Sequence, residues 1–123
     1  MNIGMVCYPS VGGSGIVATE LGKSLADRGH QVHFISSEPP VRLGGYHPGV
    51  TFHAVHAPGY TLFREPQYLL ALTNRIVQVA RAVRLDIVHA HYAIPHAAAA
   101  YLARQILLAT NSANAPKVMG GPE

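Results

Sequence analysis

The chain has 123 residues, 49% of them hydrophobic and 12% charged, which excludes a disordered chain and supplies one buried core of ordinary size. Its net charge of +3 rests on nine Lys and Arg residues spaced singly with few aromatic neighbours, so no nucleic-acid footprint is present. A single cysteine excludes an intramolecular disulfide, and no apolar run is long enough to span a bilayer.

The amino terminus lacks the basic stretch of a signal peptide and reads directly into a strand, so a cytoplasmic location is expected. That strand, Ile3-Gly4-Met5-Val6-Cys7, is the continuous apolar kind that a parallel sheet buries on both faces. Tyr8-Pro9-Ser10-Val11-Gly12-Gly13-Ser14-Gly15 joins it to a helix beginning near Ile16. Val17, Leu21 and Leu25 recur every four residues, Glu20, Lys23, Asp27 and Arg28 fill the other side, and Gly29 is the stop. Val32-His33-Phe34-Ile35 is a second strand, ended by Ser36-Ser37-Glu38 and the breaker Pro39-Pro40.

Residues 39–49 hold three prolines and three glycines and read as a loop. Residues 50–55 alternate apolar and polar side chains, which predicts a third strand near the sheet edge. Pro66 suits the first turn of a second helix, whose stripe of Leu69, Leu72, Ile76, Val79 and Val83 runs to about Arg84. Residues 86–91 make a fourth strand, and Pro95 is expected to open an alanine-rich third helix carrying Leu102, Ile106 and Leu107.

This order of elements predicts an α/β fold: a doubly wound, largely parallel, Rossmann-like sheet with helices on both faces. Ligands bind such sheets at the carboxyl ends of the strands, where strand order reverses. The first and fourth strands are expected to flank that point. Their exits, residues 8–15 and His91-Tyr92-Ala93-Ile94-Pro95-His96, then converge on one crevice.

The glycine-rich exit suits an anion. Gly12, Gly13 and Gly15 let a ligand approach the backbone, and a helix start adds free N–H groups and positive potential. Ser14 stands where a helix cap would, so a plain strand-to-helix turn with a capping serine is the alternative. Gly13-Ser14-Gly15-Ile16-Val17-Ala18 matches the dinucleotide pattern G-x-G-x-x-A, with Glu38 as its acidic partner. Residues 8–12, however, separate it from the strand, where the fingerprint needs a tight turn at once. No nucleoside-triphosphate loop, nucleophile elbow or paired carboxylates occur.

His89, His91 and His96 are spaced like metal ligands, but no Cys pair or H-E-x-x-H accompanies them. Packing or ligand contacts explain them better than a metal, and no cofactor is indicated. Tyr92 offers a phenol at the strand exit, unless it lies half-buried under the third helix. The chain looks like half a site.

The two exits, with Thr19-Glu20-Leu21-Gly22-Lys23, Arg28-Gly29-His30, His33-Phe34-Ile35 and His89-Ala90-His91-Tyr92-Ala93-Ile94-Pro95-His96-Ala97, resemble retaining glycosyltransferases of family four. The resemblance is to their amino-terminal half, in particular among members that make the first intermediate of bacillithiol. It covers about residues 1–108 and leaves 109–123 as a divergent tail. It implies one lobe, the acceptor side, of a two-lobed GT-B enzyme that moves N-acetylglucosamine from UDP-N-acetylglucosamine to L-malate. Retention of the α configuration, and no metal or cofactor, are implied too. Gly12, Gly13, Ser14 and Gly15 would then approach the donor phosphates and acceptor carboxylates, and Tyr92 would touch malate. His91 and His96 stand behind them as further candidates.

Residues 109–123 lack the T-L-H-G-T-D-like motif of the family, although Lys117-Val118-Met119 can begin the strand before it. No two glutamates stand eight apart as the family's pair does, and no second lobe is present. Transfer by this chain alone is therefore not expected. One rival reading is a stand-alone nucleotide- or anion-binding module without catalysis. Another is a truncated domain that self-associates, as a homo-oligomer, through an open sheet edge.

Overall fold

The apolar amino-terminal run forms strand β1 (Asn2–Val6), buried from its second residue onward. It is followed by helix α1 (Gly13–Asp27), strands β2 (Gln31–Ser36) and β3 (Val50–Ala54), helix α2 (Arg64–Val83) and strand β4 (Ile87–His91). An irregular turn (Ala93–Ala97), helix α3 (Ala98–Ala109) and strand β5 (Lys117–Gly121) complete the chain. The computed structural model describes residues 1–8, 13–39, 44–56, 64–110 and 115–121.

The sheet order is β3-β2-β1-β4-β5, and every pairing is parallel. Strand β1 bonds on both edges, with Val6 opposite Ile35 on one side and Ala90 on the other. The reversal of strand order therefore falls between β1 and β4, as expected. Strand β3 sits at the edge, in keeping with its alternating pattern and half-buried side chains. The start of β4 is locked to that of β1: Asp86 Oδ2 accepts from the Asn2 amide at 2.7 Å, and Asn2 Nδ2 donates to the Val83 carbonyl at 2.7 Å.

Alternation along β1 divides the core in two. Met5 and Cys7 join Ala18, Val32 and Phe34 beneath α1. Val6 joins Ile35, Val88, Ala90 and the buried stripes of α2 and α3, including Leu72, Ile76, Ala103 and Leu107.

Two helix starts differ from expectation. Helix α1 begins at Gly13, so Ser14 lies in its first turn and not at the cap. The regular α-helical pattern of α3 begins at Ala98, and the break before it lies at Ile94, since the residue before a proline is pushed out of the helical region. Ile94 is accordingly extended, with φ −128° and ψ 126°, and the Ile94–Pro95 bond is cis. The tail contributes β5, which continues the sheet beside β4.

Buried Gly22 brings α1 against Phe34: a Cβ there would lie 2.4 Å from the ring's Cζ. Phe34 is itself fully buried and has nowhere to move. Gly22→Ala should therefore destabilise the chain by about 1–3 kcal/mol through overpacking, despite alanine's better helix propensity, read as a lower denaturant midpoint.

His33 Nδ1 and His53 Nε2 meet at 3.0 Å across β2 and β3. One ring must accept, so the contact excludes the doubly protonated pair. Burial lowers His33, and burial followed by the charges of His33 and Arg75 lowers His53 from 6.5 to about 4. The unfolded chain binds more protons than the folded one below pH 6.5, so this contribution is complete above that pH and is lost as pH falls towards 4. Thermal unfolding followed between these limits should show a falling midpoint, and His53→Gln should flatten the fall.

Candidate functional site

The crevice at the β1/β4 reversal is built from two strand exits. On one side α1 opens with Gly13, Ser14 and Gly15 in its first turn. The first N–H groups of a helix have no partner within it and point out of its end, where the dipole is positive. Buried Thr19 donates from Oγ1 to the Gly15 carbonyl at 2.7 Å, which ties the turn back onto the helix body. Gly12 lies outside the described residues.

On the other side β4 ends at His91, and Tyr92 follows in the left-handed region with φ 81°. Few non-glycine residues adopt that conformation, and here the bonds of the turn hold it. The Ala97 amide donates to the Tyr92 carbonyl at 2.9 Å, and His96 Nδ1 donates to the His91 carbonyl. A carbonyl only accepts, so His96 carries its proton on Nδ1.

Four rings form one wall here. Tyr8, immediately after β1, sits edge-on to His96 at 4.4 Å and to Tyr92 at 5.6 Å between centroids. Tyr68 from the start of α2 stacks on Tyr8 at 6.4 Å and closes on His96 at 6.2 Å. Within this wall His96 is fully buried, whereas Tyr92 is 46% exposed at its rim. Tyr92 thus packs against Tyr8 and presents itself to solvent.

The structure separates the histidines grouped by spacing. His89 and His91 lie with ring centroids 4.6 Å apart, tilted by 43°, on the face that carries Met5 and Cys7, since His89 is in register with Met5. His96 lies among Tyr8 and Tyr68, on the side of α2. Among the described residues, no three His, Cys, Asp or Glu side chains are placed to hold a metal ion. Sequence reasoning picked out Tyr92 and His96 but missed Tyr8 and Tyr68 as their partners. The available signal was an aromatic residue at the strand exit and a second one beside the Leu69 stripe.

A parallel sheet with this reversal, a glycine-opened helix on one side and a tyrosine turn on the other, defines a Rossmann-like lobe that receives ligands at its carboxyl edge. The family described as Glycosyltransferase Family 4 matches residues 11–118. The chain belongs to that family, whose domain is one lobe of the GT-B architecture. It is 54% identical over 107 residues to N-acetyl-alpha-D-glucosaminyl L-malate synthase of Bacillus anthracis. That match covers 87% of this chain and 28% of the relative, so the chain spans little more than a quarter of that protein's length.

Cys7, at the root of the crevice, is fully buried, and burial pushes its thiol up to about 12. Thiolate is the reactive form, so Cys7 is inert at neutral pH. In native chain at pH 8, a thiol-specific disulfide reagent should label Cys7 more than a hundredfold more slowly than in denaturant. Rapid labelling of the native chain would mean that the β1 exit opens readily.

Proposed function

We propose that the chain is the amino-terminal, acceptor-side lobe of a retaining glycosyltransferase that transfers N-acetylglucosamine from UDP-N-acetylglucosamine to L-malate in the bacterial cytoplasm. One observation carries the reading: the first turn of α1 and the Tyr92 turn follow β1 and β4, the two strands that flank the reversal of strand order at the carboxyl edge of the sheet. The name of the Bacillus anthracis relative supports the substrates.

Both ligands are small and anionic, which suits a helix amino terminus. In this reading, the N–H groups of Gly13, Ser14 and Gly15 and the Ser14 hydroxyl take the malate carboxylates and approach the donor diphosphate, with Gly12 in the same loop. The Tyr92 phenol bonds malate from the opposite side. His91 lies one residue from Tyr92, and His96 supports the turn from behind by its bond to the His91 carbonyl.

The lobe binds and orients; it provides no nucleophile. The family's nucleotide pocket belongs to the facing lobe, so transfer by this chain alone is not expected. The boundary of the acceptor domain is placed at residue 108, with 109–123 as the divergent tail, part of which forms β5.

Calorimetric titration with L-malate and, separately, with UDP-N-acetylglucosamine tests the proposal. Malate should bind, without turnover when both are present. Ser14→Ala and Tyr92→Phe should each weaken malate binding by about tenfold, the loss of one hydrogen bond, with the fold intact. Binding of the nucleotide sugar alone would favour a stand-alone module, and unchanged malate affinity in both variants would remove these residues from the site.

A further inference from the structure

At the flank of the sheet, a pocket of about 290 Å³ opens between the exit of β3 and the middle of α2. His56 follows the strand, while Asn74, Arg75 and Gln78 come from the helix; Ala54, Val55 and Ala71 complete the lining. Among the described residues, no acidic side chain lines it. Arg75 and Gln78 stand three residues apart and share a helix face. Gln78 Oε1 accepts from Arg75 Nη1 at 3.1 Å, which holds one end of the guanidinium.

Nε, on the guanidinium's other edge, is buried and meets no acceptor among the described residues. Arg75 pairs with no carboxylate among the described residues. A buried donor without a partner is costly, and arginine ordinarily meets a carboxylate or phosphate through two parallel N–H···O bonds. The Nε edge here has no such partner among the described residues, and the arginine that carries it lines the pocket. The positive charge also acts inside the fold, as the third cause lowering His53 after burial and His33.

We propose that this pocket is a binding site for a small oxyanion, a phosphate or carboxylate group, taken by Arg75 with Asn74, Gln78 and His56 as hydrogen-bonding neighbours. The site is separate from the β1/β4 crevice. Strands β3 and β1 are two positions apart in the sheet, roughly 10 Å. It does not depend on the transferase reading.

Titration of the whole chain with inorganic phosphate and, in parallel, with acetate tests the proposal, followed by heteronuclear NMR at pH 7. Saturable shifts are expected at the amides of Val55, His56, Asn74, Arg75 and Gln78 with at least one of the two anions, and whichever binds more tightly names the head group. Arg75→Gln should weaken that binding by about tenfold or more. Gln78→Glu sets a carboxylate against the guanidinium and should suppress binding equally while leaving the fold intact. Linear, unsaturated shifts with both anions would overturn the proposal. So would shifts confined to residues 13–15 and Tyr92, or two variants that bind like the parent chain. L-Malate shifts at residues 13–15 and Tyr92 in the Arg75→Gln chain report separately on the acceptor reading.

Discussion

Strand β1 is the constraint on which the rest depends. It is hydrogen-bonded on both edges, to β2 and to β4, and its side chains alternate between two separate cores. Met5 and Cys7 belong to the core under α1, and Val6 to the core under α2 and α3. Because every pairing is parallel, all five strands deliver their carboxyl ends to the same edge. The chain leaves β1 towards β2 and later returns to β4 on its other side. The connections from β1 and β4 therefore diverge, which keeps a crevice open between them. The polar ends that form the site are a consequence of where β1 is placed.

Much of this framework was legible in the sequence. Continuous apolar runs marked the buried strands, the alternation in β3 marked an edge, and the steps of three and four in α2 marked a buried stripe. Periodicity reports the faces of an element, and those faces were read correctly. Helix starts were less legible. Three glycine positions around Ser14 read as a turn, yet a helix amino terminus accommodates glycine, and α1 starts at Gly13. Pro95 read as a first helical residue, and the break in helical backbone does fall at Ile94 just before it, while the regular α-helical pattern of α3 sets in only at Ala98.

The site was half legible for a different reason. Tyr92 and His96 are near neighbours in the chain, and a strand exit predicts that both lie by the crevice. Tyr8 and Tyr68 are sixty positions apart and meet only because the fold brings the start of α2 to the exit of β1. No local pattern encodes that contact. The histidines show the converse case, since a spacing that suits metal ligands is divided by the sheet, with His89 and His91 on one side and His96 on the other. Spacing along the chain placed the first two together and gave no information about the third.

The aromatic wall explains how a strained residue can serve recognition. A non-glycine residue in the left-handed region costs about 1–3 kcal/mol and persists only where its surroundings over-determine it. Tyr92 meets that condition. Its carbonyl accepts from Ala97, the preceding carbonyl accepts from buried His96, and its ring rests edge-on against Tyr8. His96 is held in turn by Tyr8 and Tyr68, so the conformation of Tyr92 is referred back to β1 and α2. The phenol that stands at the rim is consequently positioned by the two rigid layers of the fold before any ligand arrives. Such pre-organisation lowers the ordering cost of binding. In the proposed acceptor-side role, a phenol placed in this way would hold its ligand without first having to be ordered.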